Sequence, residues 1–395
     1  MLTHRQLFLQ NIAQTSEFPL LIEIEKAKGM YFYTPEGKSY LDLIAGISVS
    51  NVGHCHPKVV EAVQKQAEKF MHVLVYGEFV QSPQTLLAKK IIDCLPAHLD
   101  NIYFVNSGTE AIEGAMKLAK RYTKKTEIIS CFNAYHGATQ GSLSIGGGEN
   151  FKNNFRPLLP DTRQIHYGSF SDIEKITEKT ACVIIEVVQG EAGVISACEN
   201  YFKTLRKKCD ETNTLLIFDE VQTGFGRTGT LFAFQKINVM PDILVLAKGM
   251  GGGMPIGAFV SNQKIMSVFK NNPILGHITT FGGHPVCCAA ALASLAIIED
   301  EKLYENAEEK GLLFVQLLQH QQIKQVRQNG LLLAVEFENF ITLKKIIDKC
   351  LEKGLMTDWF LYCDNSMRIA PPLIINEEEI RWACKTILEA IDEVF

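Results

Sequence analysis

Three places in this chain of 395 residues carry side chains whose type and position could do chemistry. The first is Asp219, which closes the apolar run Leu215-Leu-Ile-Phe-Asp and so places an acid at the carboxyl end of an expected buried strand, where open α/β sheets bind ligands. Taken alone, an acid there reads equally well as a metal ligand, a helix cap or a hydrogen-bonded core group. The second is Lys248, which ends another apolar run, Ile243 to Ala247, and is followed by Gly249, Gly251, Gly252 and Gly253. A lysine so placed is desolvated, and desolvation lowers an amine's pKa toward what a nucleophile or imine-forming group needs. A lone lysine more often snorkels to the surface. The third is Asn106-Ser-Gly-Thr-Glu110, between the run Ile102 to Val105 and a helical pattern. A strand, a small polar turn and a helix N-terminus make an anion site, because free backbone amides and the hydroxyls of Ser107 and Thr109 converge there.

The elements that must position these groups are legible from periodicity. Ile102 to Val105, Ile128 to Cys131, Cys182 to Val187, Leu215 to Phe218 and Ile243 to Ala247 are short, continuous apolar runs, as strands buried on both faces require. Between the first two, Ala111, Ile112, Ala115, Met116, Ala119 and Tyr122 recur at helical spacing, predicting a helix over Glu110 to Tyr122. Strand, helix, strand implies an α/β fold with a mainly parallel sheet. Toward the amino end, Thr34-Pro-Glu-Gly37 reads as a hairpin turn within Met30 to Leu43. Toward the carboxyl end, helical stretches at Glu299 to His320 and Thr342 to Lys353 flank the strand-like Leu331 to Phe337. The expected organisation is a large α/β domain over 51–290 and a small α+β domain assembled from 1–50 and 291–395.

Composition excludes other classes. The chain is 47% hydrophobic and 21% charged with a net charge of −5, so it carries no general attraction to phosphate backbones or anionic lipid. No nucleic-acid or membrane partner is expected. The longest predominantly apolar stretch, Val286 to Ile298, is stopped by Glu299 and Asp300, short of the roughly 20 residues a membrane span needs. The first twenty residues lack the apolar core of a secretory signal, which leads to a cytoplasmic reading. Eleven cysteines without CxxC spacing point to reduced, mostly buried thiols rather than a disulfide framework or a zinc site. His54 and His56 flank Cys55 without further ligands, and Gly146 to Gly148 lacks the strand and helix of a dinucleotide loop, so neither a metal nor a Rossmann cofactor is expected.

An acid, an amine and a phosphate cradle on successive strand ends of one sheet together suit pyridoxal phosphate: the acid holds the ring nitrogen protonated, the lysine forms the imine, and the cradle anchors the phosphate. The stretch Leu216-Ile-Phe-Asp-Glu-Val-Gln-Thr-Gly-Phe-Gly-Arg-Thr-Gly229, followed by Pro241-Asp, Ala247-Lys-Gly and Pro255-Ile-Gly257, resembles the signature of class III pyridoxal-phosphate aminotransferases. The resemblance runs from Tyr31-Phe-Tyr-Thr-Pro-Glu-Gly-Lys-Ser-Tyr-Leu-Asp42 through Gly53-His-Cys-His-Pro57 to Arg368-Ile-Ala-Pro-Pro372, nearly the whole chain. By motif it is most similar to the acetylornithine and ornithine aminotransferases. It implies a fold-type I transferase of amino-acid metabolism, normally a homodimer with two active sites at the subunit interface.

Position by position, the resemblance makes Lys248 the Schiff-base lysine and Asp219 the partner of the pyridine nitrogen. Val221 and Tyr135 would sandwich the ring, Gln222 would lie near its phenolic oxygen, and His136 joins the cofactor set. Ser107, Gly108 and Thr109 would hold the phosphate, with Thr280 reaching the neighbouring subunit's phosphate. Arg368 matches an arginine that binds an α-carboxylate, and Glu191 a glutamate that masks it when the donor presents a terminal amine; Thr279 joins this substrate set. The implied activity moves the terminal amino group of ornithine or N-acetylornithine to 2-oxoglutarate. Two positions depart from the pattern. Ala138 stands where relatives carry a carboxylate-binding arginine, so either Arg156, Arg163 or the second subunit supplies a cation, or the donor is a diamine or other amine lacking that carboxylate. Ile112 stands where relatives often carry Asn. Other readings are an aminomutase, which would release no oxo acid, and a pyridoxal-phosphate-binding protein without turnover, against which the intact set Lys248, Asp219, Thr109, Thr280, Glu191 and Arg368 argues.

Overall fold

The computed structural model describes residues 2–395. Its centre is a seven-stranded sheet in the spatial order Asn101–Val105, Gly257–Ser261, Ile243–Leu246, Leu215–Asp219, Thr180–Glu186, Glu127–Cys131, Thr162–Ile165. Gly257–Ser261 is antiparallel to both neighbours, while the strands from Ile243–Leu246 to Thr162–Ile165 run parallel. Every residue of Thr180–Glu186, Leu215–Asp219 and Ile243–Leu246 is buried, which is why those segments are continuous apolar runs rather than alternating ones. Two members escape the apolar pattern. Thr162–Ile165 is an edge strand with one fully buried residue, and Gly257–Ser261 opens on glycine, so neither announces itself by composition.

The helix Gly108–Thr123 starts two residues ahead of the expected Glu110, because Ser107 caps it with its hydroxyl and accepts from Glu110 N at 3.3 Å. It lays Ala111, Ala115, Met116 and Ala119 against the sheet, with Ile112 fully buried among them. Ile112 therefore departs from the family pattern by filling core volume, away from the cavity described below. On the opposite face the helix Pro285–Asp300 packs against Pro57–Lys69. It is apolar nearly all round because Val286, Cys288, Ala291, Leu295, Ile297 and Ile298 are all buried. The single helix expected over Glu299 to His320 is in fact two, Pro285–Asp300 and Ala307–Leu317, separated by a turn.

A second core lies apart from this sheet. Met30, Leu41 and Leu43 pack with Phe314, Leu333, Val335, Ile346 and Ile387, so both ends of the chain contribute to it. Tyr31–Tyr33 and Ser39–Asp42 form the expected hairpin, closed by Thr34 N donating to Lys38 O at 2.9 Å, and Leu355–Met356 extends it in parallel with Ser39–Asp42. A four-stranded antiparallel sheet, Gln325–Asn329, Leu332–Glu336, Cys363–Ile369 and Asp358–Phe360, completes this part, backed by Phe340–Glu352 and Glu377–Val394. The expected boundary at 290 falls inside the helix Pro285–Asp300, whose last turns still belong to the core of the large sheet. No helix of the described residues is long and apolar enough to cross a membrane, and none of their acidic, His and Cys groups gathers three strong for a metal.

Candidate active site

Two adjoining cavities of about 480 and 400 Å³ open at the carboxyl ends of the parallel strands and share Tyr135, Glu191 and Lys248. Such volumes suit a cofactor with a small substrate. The first is lined by Ser107, Gly108, Thr109, His136, Asp219, Val221, Gln222 and Lys248, so that with the shared Tyr135 and Glu191 ten expected residues from five stretches of sequence meet in one space.

Asp219 ends its strand directly between Glu186 and Val245 on the neighbouring strands. Its Oδ1 accepts from Val221 N at 2.9 Å, and its Oδ2 accepts from His136 Nδ1 at 2.7 Å. His136 is fully buried. Desolvation alone would lower its pKa, yet the hydrogen bond and charge of Asp219 raise it, so the imidazole is a strong donor that holds the carboxylate in place. Lys248 follows its strand at φ +47°, a left-handed conformation uncommon for a non-glycine residue and one that turns the side chain out of the strand direction into the cavity. Desolvation lowers its pKa below that of free lysine, with Arg368 adding to the effect and Glu191 opposing it.

The start of the helix approaches Val221 so closely that a Cβ on Gly108 would lie 2.9 Å from Val221 Cγ1, so any side chain there would displace the valine. Thr109 Oγ1 bonds to Thr139 Oγ1 at 2.7 Å and donates to Ser142 Oγ at 3.0 Å, so its hydroxyl is oriented by a local network. Gln222 Nε2 is buried without a partner, a polar donor left for a ligand.

At the other end, Arg368 and Glu191 form a buried bidentate pair, Nη1 to Oε1 at 2.6 Å and Nη2 to Oε2 at 3.1 Å. Desolvation works against both charges, but each partner overrides it: the glutamate is held below its usual pKa and the arginine above its own. Thr279 and Thr280 are not brought into either cavity. Thr279 Oγ1 accepts from Asn106 Nδ2 at 3.0 Å, and Thr280 is exposed with its carbonyl accepting from His72 Nε2 at 2.8 Å. Ala138 lines the first cavity. Arg156 is exposed and paired with Glu149, and Arg163 with Glu127 at 3.1 Å, so neither faces the site.

Four cavity features escaped the sequence reading. Glu186 is a fully buried acid that accepts from Tyr135 N and Gly190 N, and burial pushes its pKa up to about 7. It ends an apolar run just as Asp219 does, so the same signal was available. Asp358 bonds Arg368 from the far side at 2.9 Å. Trp359 lines the second cavity beside it. Ile47 comes from Ala45 to Ser48, four consecutive residues at positive φ, a single left-handed turn that no propensity rule anticipates.

Comparison with known proteins decides the family. Residues 12–391 match the model of aminotransferase class III. The chain belongs to the class III aminotransferases. It is 43% identical to the acetylornithine aminotransferase of Methanocaldococcus jannaschii over 95% of this chain and 94% of that protein. It is 37% identical to the ornithine aminotransferase of Oceanobacillus iheyensis, over 94% of both chains. Among solved structures, the ornithine aminotransferase from Toxoplasma gondii superposes with a TM-score of 0.91 at 32% identity, covering 99% of this chain and 95% of that one. A transaminase from the marine bacterium Virgibacillus gives 0.92 at 30% identity, covering 98% of each. The protein is thus a fold-type I transaminase with pyridoxal phosphate as cofactor, an amine as donor and an oxo acid as acceptor. The first cavity fits that cofactor: a buried acid braced by an imidazole donor, an amine of lowered pKa, a helix N-terminus with two hydroxyls, and an unpaired amide donor.

Proposed function

We propose that this aminotransferase moves the terminal amino group of N-acetylornithine or ornithine to 2-oxoglutarate, giving a semialdehyde and glutamate. The observation that carries the reading is the buried Glu191–Arg368 pair, 2.6 Å apart and in the same cavity as Lys248. A guanidinium masked by a carboxylate leaves the site without a free cation, which suits a donor that arrives amine-first. The glutamate couple needs the opposite, and Glu191 then gives way to the substrate's α-carboxylate. Leaving either charge unpaired in a buried site costs about 3–5 kcal/mol, so the exchange is one carboxylate for another.

When bound, pyridoxal phosphate supplies the electron sink for the carbon that loses its proton. In our reading Asp219, braced by His136, holds the ring nitrogen protonated, and Val221 and Tyr135 flank the ring. Gln222 donates to the phenolic oxygen. Ser107, Gly108 and Thr109 hold the phosphate, while Thr280, exposed and turned away from this chain's own cavity, serves the neighbouring subunit's. Lys248 would hold the cofactor covalently, and its free amine, neutral at lower pH than a free lysine's, would move the proton on the substrate carbon.

A homodimer follows from that assignment of Thr280. It is supported by exposed apolar side chains on the amino-terminal segment, among them Leu7, Ile12, Phe18 and Leu20. We place the enzyme in the cytoplasm, and we set the division between large and small domains at the end of the helix Pro285–Asp300 rather than at 290.

One observation favours a second donor class. Among the described residues lining the two cavities, Lys248 and Arg368 are the only cations, and Ala138, Ile47, Trp359, Leu361 and Met254 make much of the remaining wall apolar. A diamine or other donor without the second carboxylate fits that wall unless the neighbouring subunit contributes a cation. Single-turnover reaction with ornithine, N-acetylornithine, 4-aminobutyrate, putrescine, lysine and glutamate, each followed by the cofactor's visible absorbance, separates the two. Fast reaction of N-acetylornithine or ornithine supports the first reading; reaction of putrescine alone alongside glutamate replaces it with the second.

A further inference from the structure

Arg368 is held by two carboxylates, and only one of them can be the mask. Asp358 stands directly opposite Arg368 in the antiparallel pairing of Asp358–Phe360 with Cys363–Ile369, so the two side chains share a face of the sheet. The strand carrying Asp358 grips the guanidinium on every side that Glu191 does not. Nε donates to Asp358 Oδ1 at 2.9 Å, Nη2 donates to Trp359 O at 2.8 Å, and the Phe360 ring lies against the guanidinium plane, 4.6 Å from its centre. Glu191 takes Nη1, and shares Nη2, from the cavity side, steadied by Leu361 N donating to its Oε2 at 3.0 Å.

Removing Glu191 from this arrangement therefore leaves a guanidinium that is still neutralised and still oriented, with its two terminal nitrogens facing the cavity. Resting on the exchange set out above, we propose that Asp358 is a positioning residue for the glutamate half-reaction: it keeps Arg368 paired and in plane when Glu191 leaves, so that an incoming α-carboxylate meets a preformed fork. Preorganised donors bind more tightly because the ordering cost is met before the ligand arrives. The terminal-amine donor does not draw on this, since Glu191 then stays in place. Burial pushes the Asp358 carboxyl up to about 6, with Arg368 opposing the rise and Glu191 adding to it, so departure of Glu191 favours the charged, Arg368-paired form.

The test is Asp358→Asn in the full-length holoenzyme, a substitution that removes the charge and keeps the shape, with the cofactor's visible spectrum confirming an intact site. Three quantities are read: single-turnover kinetics with glutamate, the same with the terminal-amine donor that wild type uses best, and calorimetric binding of glutarate, a dicarboxylate that cannot react. We expect the concentration dependence for glutamate to move up about tenfold with its limiting rate within about twofold of wild type, glutarate binding to weaken by a similar factor, and the terminal-amine donor to be unchanged. Equal weakening of both donors, or no change in either, overturns the proposal. Glu191→Ala run alongside separates it from the exchange itself. If Glu191→Ala harms the terminal-amine donor selectively while Asp358→Asn is silent, Asp358 alone is misassigned. If Glu191→Ala harms both donors equally, the exchange and Asp358's part in it fall together.

Discussion

The cavity around Asp219 and the cavity around Arg368 adjoin, yet they are assembled by different means. The first takes its polar groups from the carboxyl ends of neighbouring strands in one sheet, each group delivered by a short segment that also encodes its own strand or helix cap. The second joins Glu191, on a turn beside the large sheet, to Arg368, 177 residues later in a separate antiparallel sheet. The first is thus rigid by construction: Asp219 is braced by Val221 N and His136, and Thr109 by Thr139 and Ser142. The second is a set of charges, two acids on one guanidinium, in which Glu191 can give way to a substrate's carboxylate while Asp358 keeps Arg368 paired. A fixed cofactor and two alternating substrates call for that division of labour.

The sharpest way to test the rigid end is Lys248→Ala. We expect the half-reactions to slow by roughly 10²–10⁴-fold, the scale of a lost general acid–base group, and the cofactor's absorbance to lose the band that depends on covalent attachment. Persistence of that band in the variant would remove Lys248 from the role. The lowered pKa of Lys248 has a sign that can be read as well: its neutral form survives to lower pH than a free lysine's, so capture of added cofactor by the apo-enzyme should remain fast on the acid side of the range where free lysine ceases to react.

At the exchangeable end, Arg368→Ala leaves Glu191 buried without its partner. A stability loss of about 3–5 kcal/mol is expected, measured by urea denaturation, together with loss of the glutamate half-reaction. A variant as stable as wild type would mean that the pair is better hydrated than its burial implies. Glu191→Ala is milder: terminal-amine donors should lose about tenfold relative to glutamate, equivalent to about 1.4 kcal/mol in the activation barrier. The ratio of the two single-turnover rates is the quantity that decides. Smallest is His136→Asn, which weakens the brace on Asp219; a charge-assisted hydrogen bond is worth about 1.5–3 kcal/mol, part of which the amide retains. Cofactor dissociation should rise several-fold with the order of donor preference unchanged. A changed preference would show that the two ends are coupled.

Legibility followed the same line. The strands Thr180–Glu186, Leu215–Asp219 and Ile243–Leu246 and the helix after Ser107 were readable because burial on both faces and a helix period leave direct marks on a short stretch of sequence. Glu186 was readable by the rule that found Asp219 and was passed over. The edge strand Thr162–Ile165 and the antiparallel Gly257–Ser261 were not, since one is half solvated and the other is defined by its partners. The break at Glu301 to Asn306 between two helices was hidden because the helical pattern continues across it.

By itself the sequence determined the family, the cofactor chemistry and the strand-end groups that line the first cavity, because each is written in contiguous residues whose local physics is sufficient. The tertiary structure alone decided that His136 braces Asp219, that Lys248 leaves its strand in a left-handed turn, that Arg156 and Arg163 face away from the site, and that Asp358 lies across from Arg368. These depend on register and on the approach of segments far apart in the chain. Charges buried together interact according to distance in space, which no spacing along a sequence records.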